Sequence, residues 1–283
     1  MASALLIPRF LYTLFLFTKS DFKTIIIPTL FAVAAGPLCR VQRLPHVAFW
    51  VWLHILQEDV ANQAISPAED ALNNPRRPIP SQRITVRQAN ALRWTLIPLC
   101  CAVSALYSRE TVYASLAFAT LSYLYNEGNG AAHMASRNLF NAVAFGVLEA
   151  GATLIAGPSA RTMDRTAVFA VCFSVGTIAT TIHAQDFKDV HGDRAVGRST
   201  IPIAYPSFAR YTLLAPMVGW AYVLAVAWHL DWATSAAFIA LALYVGARFV
   251  VGADARVSYN WYNLWLSVAN TLPGYYRLCR QMH

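Results

Sequence analysis

The sequence is dominated by apolar stretches of about 20 residues, the length of helix that crosses a lipid bilayer. Of its 283 residues, 57% are hydrophobic and only 13% are charged, and the mean hydropathy is +0.42. A soluble domain has about a quarter of its residues charged. The composition therefore excludes an ordinary soluble fold and predicts an all-α, polytopic membrane protein.

We predict about nine transmembrane helices, packed as one bundle around a central cavity and forming a single domain over residues 1–283. Residues before the first span are predicted to form a helix at the membrane interface. No linker or change of composition divides the chain. The predicted spans lie at about 22–38, 46–66, 86–107, 110–126, 135–156, 164–186, 206–228, 233–252 and 258–276.

The net charge of +8 indicates loop residues that fix the topology rather than a nucleic-acid partner, because Lys and Arg concentrate in cytosolic loops of membrane proteins. With the N-terminus in the cytosol, the predicted spans place most of the 22 Lys and Arg on the cytosolic side. Arg277 and Arg280 fit this arrangement badly and leave the crossing of the last span open. The bilayer is the expected partner.

A polar run after the sixth span contains Asp186, Asp189 and Asp193. Their spacings of three and four place all three on one face of a helix. Three close carboxylates repel one another and are costly to bury, so we expect a cation among them. Oxygen ligands suit Mg²⁺, and Lys188, Arg194 and Arg198 nearby suggest that the ion carries a phosphate or diphosphate.

A second polar run follows the second span, and four crossings separate it from the first, so both runs face the same side of the membrane. Asn62 and Ser66 share a helix face, and Pro67 can begin a new segment that redirects Glu69 and Asp70. An amide and two carboxylates suit a hard cation. Taken alone, this run is equally compatible with a polar helix end and a solvated loop.

Several other polar residues have two interpretations. Lys23 could reach a diphosphate or extend to lipid headgroups. Asn141 lies near the predicted cytosolic face, where it could line a binding chamber or simply end a helix. His183 is better explained as a hydrogen-bonded structural residue. Glu149 lies deep in the fifth span and is a candidate functional acid, or a protonated and paired one.

Together, the two polar runs resemble the motifs of the UbiA superfamily of intramembrane prenyltransferases. Its first motif has the form NxxxDxxxD and precedes an RPxPSG-like stretch, which corresponds here to Asn62, Ser66 and Asp70 followed by residues 77–83. The second, DxxDxxGDxxxGxxTxP, is matched here by Asp186, Asp189, Gly192, Asp193, Gly197, Thr200 and Pro202. Two positions depart from the pattern, since Ser66 and Gln63 stand where Asp is usual; Glu69 is a possible substitute.

The resemblance implies a nine-helix bundle in which Mg²⁺ bridges the two motifs and the diphosphate of an isoprenoid. Catalytic roles fall to Asn62, Asp70, Asp186, Asp189 and Asp193, and the same residues with Glu69 are the expected metal ligands. An apolar chamber below would shelter the carbocation against aromatic faces. The expected substrate-binding residues are Lys23, Arg77, Arg83, Lys188, Arg194, Arg198, Tyr125 and Asn141.

Three functions remain open. In a terpene cyclase, the cation formed from farnesyl or geranylgeranyl diphosphate is captured by the substrate's own double bonds. In a prenyltransferase, an aromatic acceptor captures it. A non-catalytic transporter or binding protein is the third. The sequence from Asn62 to Pro78 resembles a fungal branch of the superfamily that includes membrane-bound cyclases, which favours the first function and an endoplasmic reticulum location.

Overall fold

The computed structural model describes residues 2–37 and 41–281, and within these ranges all regular structure is helical. Residue 38, the end of the first predicted span, lies outside them. A π-helical turn at Phe22–Ile26 precedes α2, and short 3₁₀ turns occupy Val33–Ala35, Val41–Arg43 and Ile182–Gln185. The helices are α1 (Ala2–Thr18), α2 (Ile27–Ala32), α3 (Leu44–Ile65), α4 (Pro67–Asn73), α5 (Val86–Ala105), α6 (Arg109–Asn126), α7 (Met134–Ala156), α8 (Arg165–Thr181), α9 (Asp186–Ala195), α10 (Ile201–Ala204), α11 (Tyr211–Ala227), α12 (Trp232–Val250) and α13 (Ala255–Gln281).

The prediction of a helical membrane bundle is confirmed, and within the described ranges a helix occupies each predicted span. Three segments are long and apolar enough to cross a membrane by length and composition: Met134–Ala156, Arg165–Ala195 and Trp232–Val250. Shorter apolar helices occupy Ile7–Thr18, Phe22–Ala35 and Tyr211–Ala227. The chain is therefore an integral membrane protein.

The helices form a closed ring in near-sequential order. α3 packs on α5, α5 on α6, α6 on α7, α7 on α8, α8 on α11, α11 on α12 and α12 on α13, and α13 returns to α2. One apolar core lies among α7, α8, α11, α12 and α13, with Met217, Tyr262 and Trp265 fully buried. Another joins α2, α3, α6 and α7 around Trp50. The loops of the ring leave two polar ends, of which one carries both acidic runs.

The opposite end of the bundle fixes the direction of α13. Asp164 and Asp231 cap α8 and α12 by accepting backbone N–H bonds from the first helical turn, which satisfies donors that have no partner within the helix. Arg277 donates to both Asp164 oxygens (2.5 and 2.7 Å), and Tyr275 donates to Asp231 (2.8 Å). The last span therefore crosses the bundle, and Arg277 lies at the end away from the acidic runs.

Close packing of α3 on α7 depends on a glycine. A Cβ at Gly151 would lie 2.3 Å from the Trp50 ring, which is fully buried and held by a 2.7 Å hydrogen bond from its Nε1 to Ser104 Oγ. The indole cannot move aside without breaking that bond. Gly151 thus sets the distance between these two helices.

We expect Gly151→Ala to lower the free energy of unfolding by about 1–3 kcal/mol, because an added methyl group overpacks a filled core. The matched control is Gly219→Ala on α11, where an added Cβ meets no atom within 4 Å and alanine favours the helix. Thermal unfolding of the purified variants in detergent compares them. Equal stability of the two variants would contradict this account of the α3–α7 contact.

Candidate active site

The first acidic run is positioned by a break at the end of α3. Ser66 leaves the helical region (φ −118°, ψ 51°), and Pro67 begins α4 at its first position. Proline suits that position because its missing N–H would have no partner there. The chain therefore turns at Ser66, and the first turn of α4 carries Glu69 and Asp70.

The second acidic run lies on α9, which is separate from α8. A 3₁₀ turn at Ile182–Gln185 separates α8 from α9, which begins at Asp186. Within that turn His183 is buried, and its Nε2 lies 2.9 Å from Oγ1 of Thr212 in the first turn of α11. This contact supports the structural interpretation of His183. Asp186 and Asp193 are both buried on α9.

The two runs meet where α4 packs on α9. A Cβ at Gly192 would lie 2.2–2.3 Å from three side-chain atoms of Asn73. A larger residue at position 192 would push the two short helices apart. The glycine of the second run thus allows the first run to approach it.

Arg198 joins the two runs directly. Its Nη1 lies 2.6 Å from Glu69 Oε1 and 3.1 Å from Asp193 Oδ1. Arg198 and Glu69 are 129 residues apart in the sequence. The Arg198 side chain is 14% exposed and that of Asp193 is fully buried. Such a bridge is weakly screened by solvent because it is largely buried. The prediction that both runs lie on one side of the bundle agrees with this contact.

Asp70 is paired with the arginine of the stretch that follows it. Arg77 Nη1 lies 2.5 Å from Asp70 Oδ1. Burial raises the pKa of Asp70 above its ordinary value, against the opposing effect of the Arg77 guanidinium. Its second oxygen, Oδ2, is buried and has no hydrogen-bond partner among the described residues. One oxygen of this carboxylate is thus satisfied and the other is available.

Arg137 is a site residue that the sequence analysis did not identify. It lies in the first turn of α7, is buried, and its Nη2 is 3.4 Å from Asp186 Oδ1, an ion pair without hydrogen-bond geometry. The sequence did contain a signal for this residue: Arg137 lies beside an apolar span and four residues before Asn141, so the two side chains share a helix face. Arg137 ties α7 to the second acidic run.

Three carboxylate oxygens from the two runs are buried and have no hydrogen-bond partner within the described ranges: Asp70 Oδ2, Asp186 Oδ1 and Asp193 Oδ2. Of these, Asp186 Oδ1 has the longer ionic contact with Arg137. Glu69 and Asp189 are instead occupied by Arg198 and Lys188, the latter at 2.5 Å. In the part of the chain that the structure describes, no three acidic, histidine or cysteine side chains are close enough to hold a metal alone. The donor set still fits Mg²⁺, which commonly takes one or two carboxylates and completes its shell with phosphate oxygens and water.

Two lysines approach the first turns of α13. Lys23 Nζ donates to Asn260 Oδ1 (2.5 Å), and Lys188 Nζ lies 5.1 Å from the centre of the adjacent Tyr259 ring. Lys23 precedes α2 and Lys188 belongs to α9, so separate segments place two cations against one helix. Lys188 is also the partner of Asp189, which connects this pair to the acidic runs.

Two of the residues predicted to bind substrate have other surroundings. Arg83 lies against α1, with its Nε 3.4 Å from Thr13 Oγ1 and its guanidinium 4.9 Å from the centre of the Tyr12 ring. Arg194 is exposed, because it follows Asp193 and is rotated about 100° away from it on α9. We therefore assign neither residue to the acidic cluster.

A chamber lies within the bundle below the polar ends of α3, α6 and α7. Tyr125 and Asn141, both predicted to bind substrate, belong to its wall, and Asn141 Nδ2 is buried without a partner among the described residues. The rest of the wall is mainly apolar and aromatic: Ile25, Ile55, Glu58, Phe118, Leu121, Ser122, Phe140, Ala144, Phe145 and Leu148.

A chain of amides connects the first acidic run to this chamber. Asn62 Nδ2 donates to Asn126 Oδ1 (3.2 Å), and Asn126 Nδ2 donates to Glu58 Oε1 (3.0 Å). The Asn62 amide oxygen is thereby directed away from Asn126, which leaves it free to bind a cation. Asn126 and Glu58 were not among the predicted site residues.

Glu149 belongs to another, small cavity between α7, α8, α11 and α13. Its Oε1 accepts from Ser174 Oγ (2.7 Å) and Asn270 Nδ2 (3.3 Å). The acid is thus paired within the membrane, as one of its two interpretations proposed.

The sequence model of the UbiA prenyltransferase family matches residues 24–268. The chain belongs to this family. The match includes both acidic runs, α13 up to Val268 and every helix of the ring. As a UbiA protein the chain is an enzyme, and the suspected resemblance is confirmed.

Curated relatives of this UbiA chain include cyclases and transferases. It is 36% identical over 275 residues to the fumagillin beta-trans-bergamotene synthase of Aspergillus fumigatus, covering 95% of this chain and 94% of the relative. A diterpene cyclase of Hericium erinaceus is 33% identical, with 70% and 65% covered. A polyprenyl transferase of the same fungus is 32% identical, with 68% and 67% covered.

A solved UbiA homolog from Archaeoglobus fulgidus, bound to GPP and Mg²⁺, has a similar fold, with a TM-score of 0.70. It is 15% identical, and the superposition covers 94% of this chain and 98% of that one. At this identity, the likeness supports the fold alone.

Loss of the Arg198 bridge should destabilise the junction of α4 and α9. We expect Arg198→Ala to lower the free energy of unfolding by about 3 kcal/mol, since it leaves buried carboxylates unpaired. Arg194→Ala removes the same charge from an exposed position nearby and should change stability by less than about 0.5 kcal/mol. Thermal unfolding in detergent measures both variants. A bridge that contributes nothing would give the two variants the same midpoint.

Proposed function

We propose that this UbiA enzyme is a Mg²⁺-dependent terpene cyclase that ionises farnesyl or geranylgeranyl diphosphate and closes the resulting carbocation on itself. The observation that carries the proposal is a junction of cations and unpartnered carboxylates at the mouth of an apolar chamber. Ionisation of an allylic diphosphate creates a polyanion and an apolar cation. The two products need these two environments side by side.

The junction is suited to the diphosphate. Arg137 and Arg198 lie at its centre, and Lys23 and Lys188 lie against the first turns of α13. Fixed cations stabilise negative charge that develops on a leaving group, and they need little reorganisation when they are held by the fold. Arg77 holds Asp70 in place. Its planar guanidinium could also contact the phosphate directly.

Asp70, Asp186, Asp193 and Asn62 are the residues that would hold Mg²⁺, because each offers an oxygen without a hydrogen-bond partner or one turned away from its neighbour. Held by these residues, Mg²⁺ would supply positive charge to the leaving diphosphate. Glu69 and Asp189 are already paired with cations, so we propose that they orient Arg198 and Lys188. Ser66 lies at the break after α3 and supplies no carboxylate.

The chamber is suited to the hydrocarbon chain. Phe118, Phe140 and Phe145 present aromatic surface, which attracts a desolvated cation by about 2 kcal/mol or more per ring. An apolar wall also excludes the water that would otherwise quench the cation. Tyr125 and Asn141, near the mouth, are proposed to position the first isoprene unit.

The curated relatives favour cyclisation over transfer, since the bergamotene synthase covers nearly the whole chain at the higher identity. Prenyl transfer to an aromatic acceptor is the second candidate, supported by the polyprenyl transferase relative. We also propose that the protein resides in the membrane of the endoplasmic reticulum. The distribution of Lys and Arg supports a cytosolic position for the junction.

The two candidates differ in their need for an acceptor. Purified protein in lipid vesicles is incubated with Mg²⁺ and either farnesyl or geranylgeranyl diphosphate, and diphosphate release and extracted products are measured. A cyclase releases diphosphate and forms a cyclic hydrocarbon without an acceptor. Turnover that appears only after a phenol is added would establish a transferase instead, and chelation of Mg²⁺ should stop either reaction.

We expect Asp186→Asn and Asp193→Asn each to lower the rate of diphosphate release by about 10³-fold or more, because each removes negative charge that binds the cation. Asp164→Asn is the control, since asparagine also caps a helix and Asp164 lies at the far end of the bundle. That variant should keep its turnover. Full activity in both site variants would remove α9 from the proposed site.

A further inference from the structure

Glu58 is an acidic side chain in the wall of the apolar chamber. It lies on α3 together with Ile55, and the same chamber is lined by Phe118 and Ser122 of α6 and Phe145 of α7. Placing a carboxyl group in such surroundings is costly. A single acid among aromatic and aliphatic walls therefore calls for a chemical explanation.

The two oxygens of Glu58 have different environments. Oε1 accepts a 3.0 Å hydrogen bond from Asn126 Nδ2, which fixes the orientation of the carboxyl group. Oε2 is buried and has no hydrogen-bond partner in the described ranges. One oxygen thus anchors the group, and the other is left to interact with whatever occupies the chamber.

The depth of Glu58 matches the position of the hydrocarbon rather than that of the diphosphate. It precedes Asn62 by four residues, so it lies one helical turn, about 6 Å, further into the bundle. Asn62 belongs to the first acidic run, where the diphosphate is proposed to bind. Atoms of the isoprenoid chain beyond the leaving group would therefore reach Glu58.

We propose that Glu58 is the base that ends cyclisation by removing a proton from the final carbocation. This role rests on the cyclase function proposed above. Oε2 takes the proton from a carbon next to the cationic centre, and the electron pair of the broken C–H bond forms the new C=C bond. The substrate thus becomes a neutral hydrocarbon and diphosphate, and the glutamic acid returns its proton to water when the diphosphate leaves.

Neighbouring acids do not share this arrangement. Glu149 does not line this chamber, because it belongs to the other cavity. Its Oε1 accepts hydrogen bonds from Ser174 and Asn270. Asp59 is buried on α3 but does not line the chamber. Among the described chamber residues, Glu58 is the acid placed to accept a proton from the hydrocarbon.

The test is Glu58→Gln, which keeps a carbonyl oxygen to accept from Asn126 but cannot take a proton. With farnesyl and geranylgeranyl diphosphate and Mg²⁺, we expect diphosphate release within about threefold of the wild type. The original hydrocarbon should fall by about 10-fold or more, replaced by a cyclic alcohol from water capture or by double-bond isomers. Glu110→Gln, the same change at the far end of α6, should leave the products unchanged.

Glu58→Asp separates a chemical role from a structural one, because it keeps a carboxylate on a shorter side chain. We expect it to restore part of the original hydrocarbon that Glu58→Gln loses. Unchanged products in Glu58→Gln would overturn the proposal. So would a loss of diphosphate release in both variants, since Glu58 would then act before any cation exists.

The outcome with the wild-type protein distinguishes this proposal from the function on which it rests. If the wild type forms no cyclic product without an acceptor, the cyclase function is wrong and the base role fails with it. If the wild type cyclises and Glu58→Gln gives the same hydrocarbon at the same rate, only the role of Glu58 is wrong.

Discussion

The structure depends on the pairing of buried carboxylates with cations at one end of an apolar bundle. An unpaired charge in such surroundings costs several kcal/mol, so each acid of the two runs constrains what can lie beside it. Arg198 satisfies Glu69 and Asp193 together, and this holds α4 against α9. Gly192 then has to be small because Asn73 occupies the space next to it. Much of the local geometry follows from this one requirement.

The same requirement separates a polar layer from an apolar chamber within one protein. At the mouth, guanidinium and carboxylate groups form a polar layer in which a polyanion can be neutralised. One helical turn below, the walls are mainly aromatic and aliphatic, and few groups compete for a cation. The Asn62–Asn126–Glu58 connection crosses that boundary. It links the residues that would bind the leaving group to the carboxyl group proposed to complete the reaction.

Features set by local pattern were predictable from the sequence. Apolar length located the helices, and an even number of crossings placed both acidic runs on one side. Proline at position 67 indicated the start of α4. The 3₁₀ turn before α9 was not predicted, because 3₁₀ and α-helical turns have similar sequence patterns. The direction of α13 was left open, since only the contact of Arg277 with Asp164 decides it.

Residues that act through distant partners were the ones missed. Arg137 lies beside an apolar span and Asn126 ends a helix, and nothing in their local sequence shows that they face Asp186 or Asn62. Arg83 was assigned to substrate as the last residue of the stretch 77–83 that resembles the family pattern, yet its neighbour Thr13 on α1 is 70 residues away. Tertiary contacts of this kind are set by how the helices pack, which spacing within a single helix does not reveal.

The 129-residue separation of Glu69 and Arg198 has a consequence for biosynthesis. The ribosome makes Glu69 well before the arginine that neutralises it, with α5 to α9 still to be made between the two. During that interval Glu69 lacks its partner, whereas Asp70 can already pair with Arg77. Final docking of α4 is therefore a late event in maturation, and a chain that stalls before position 198 would present an unfinished acidic surface to the cell's quality-control machinery.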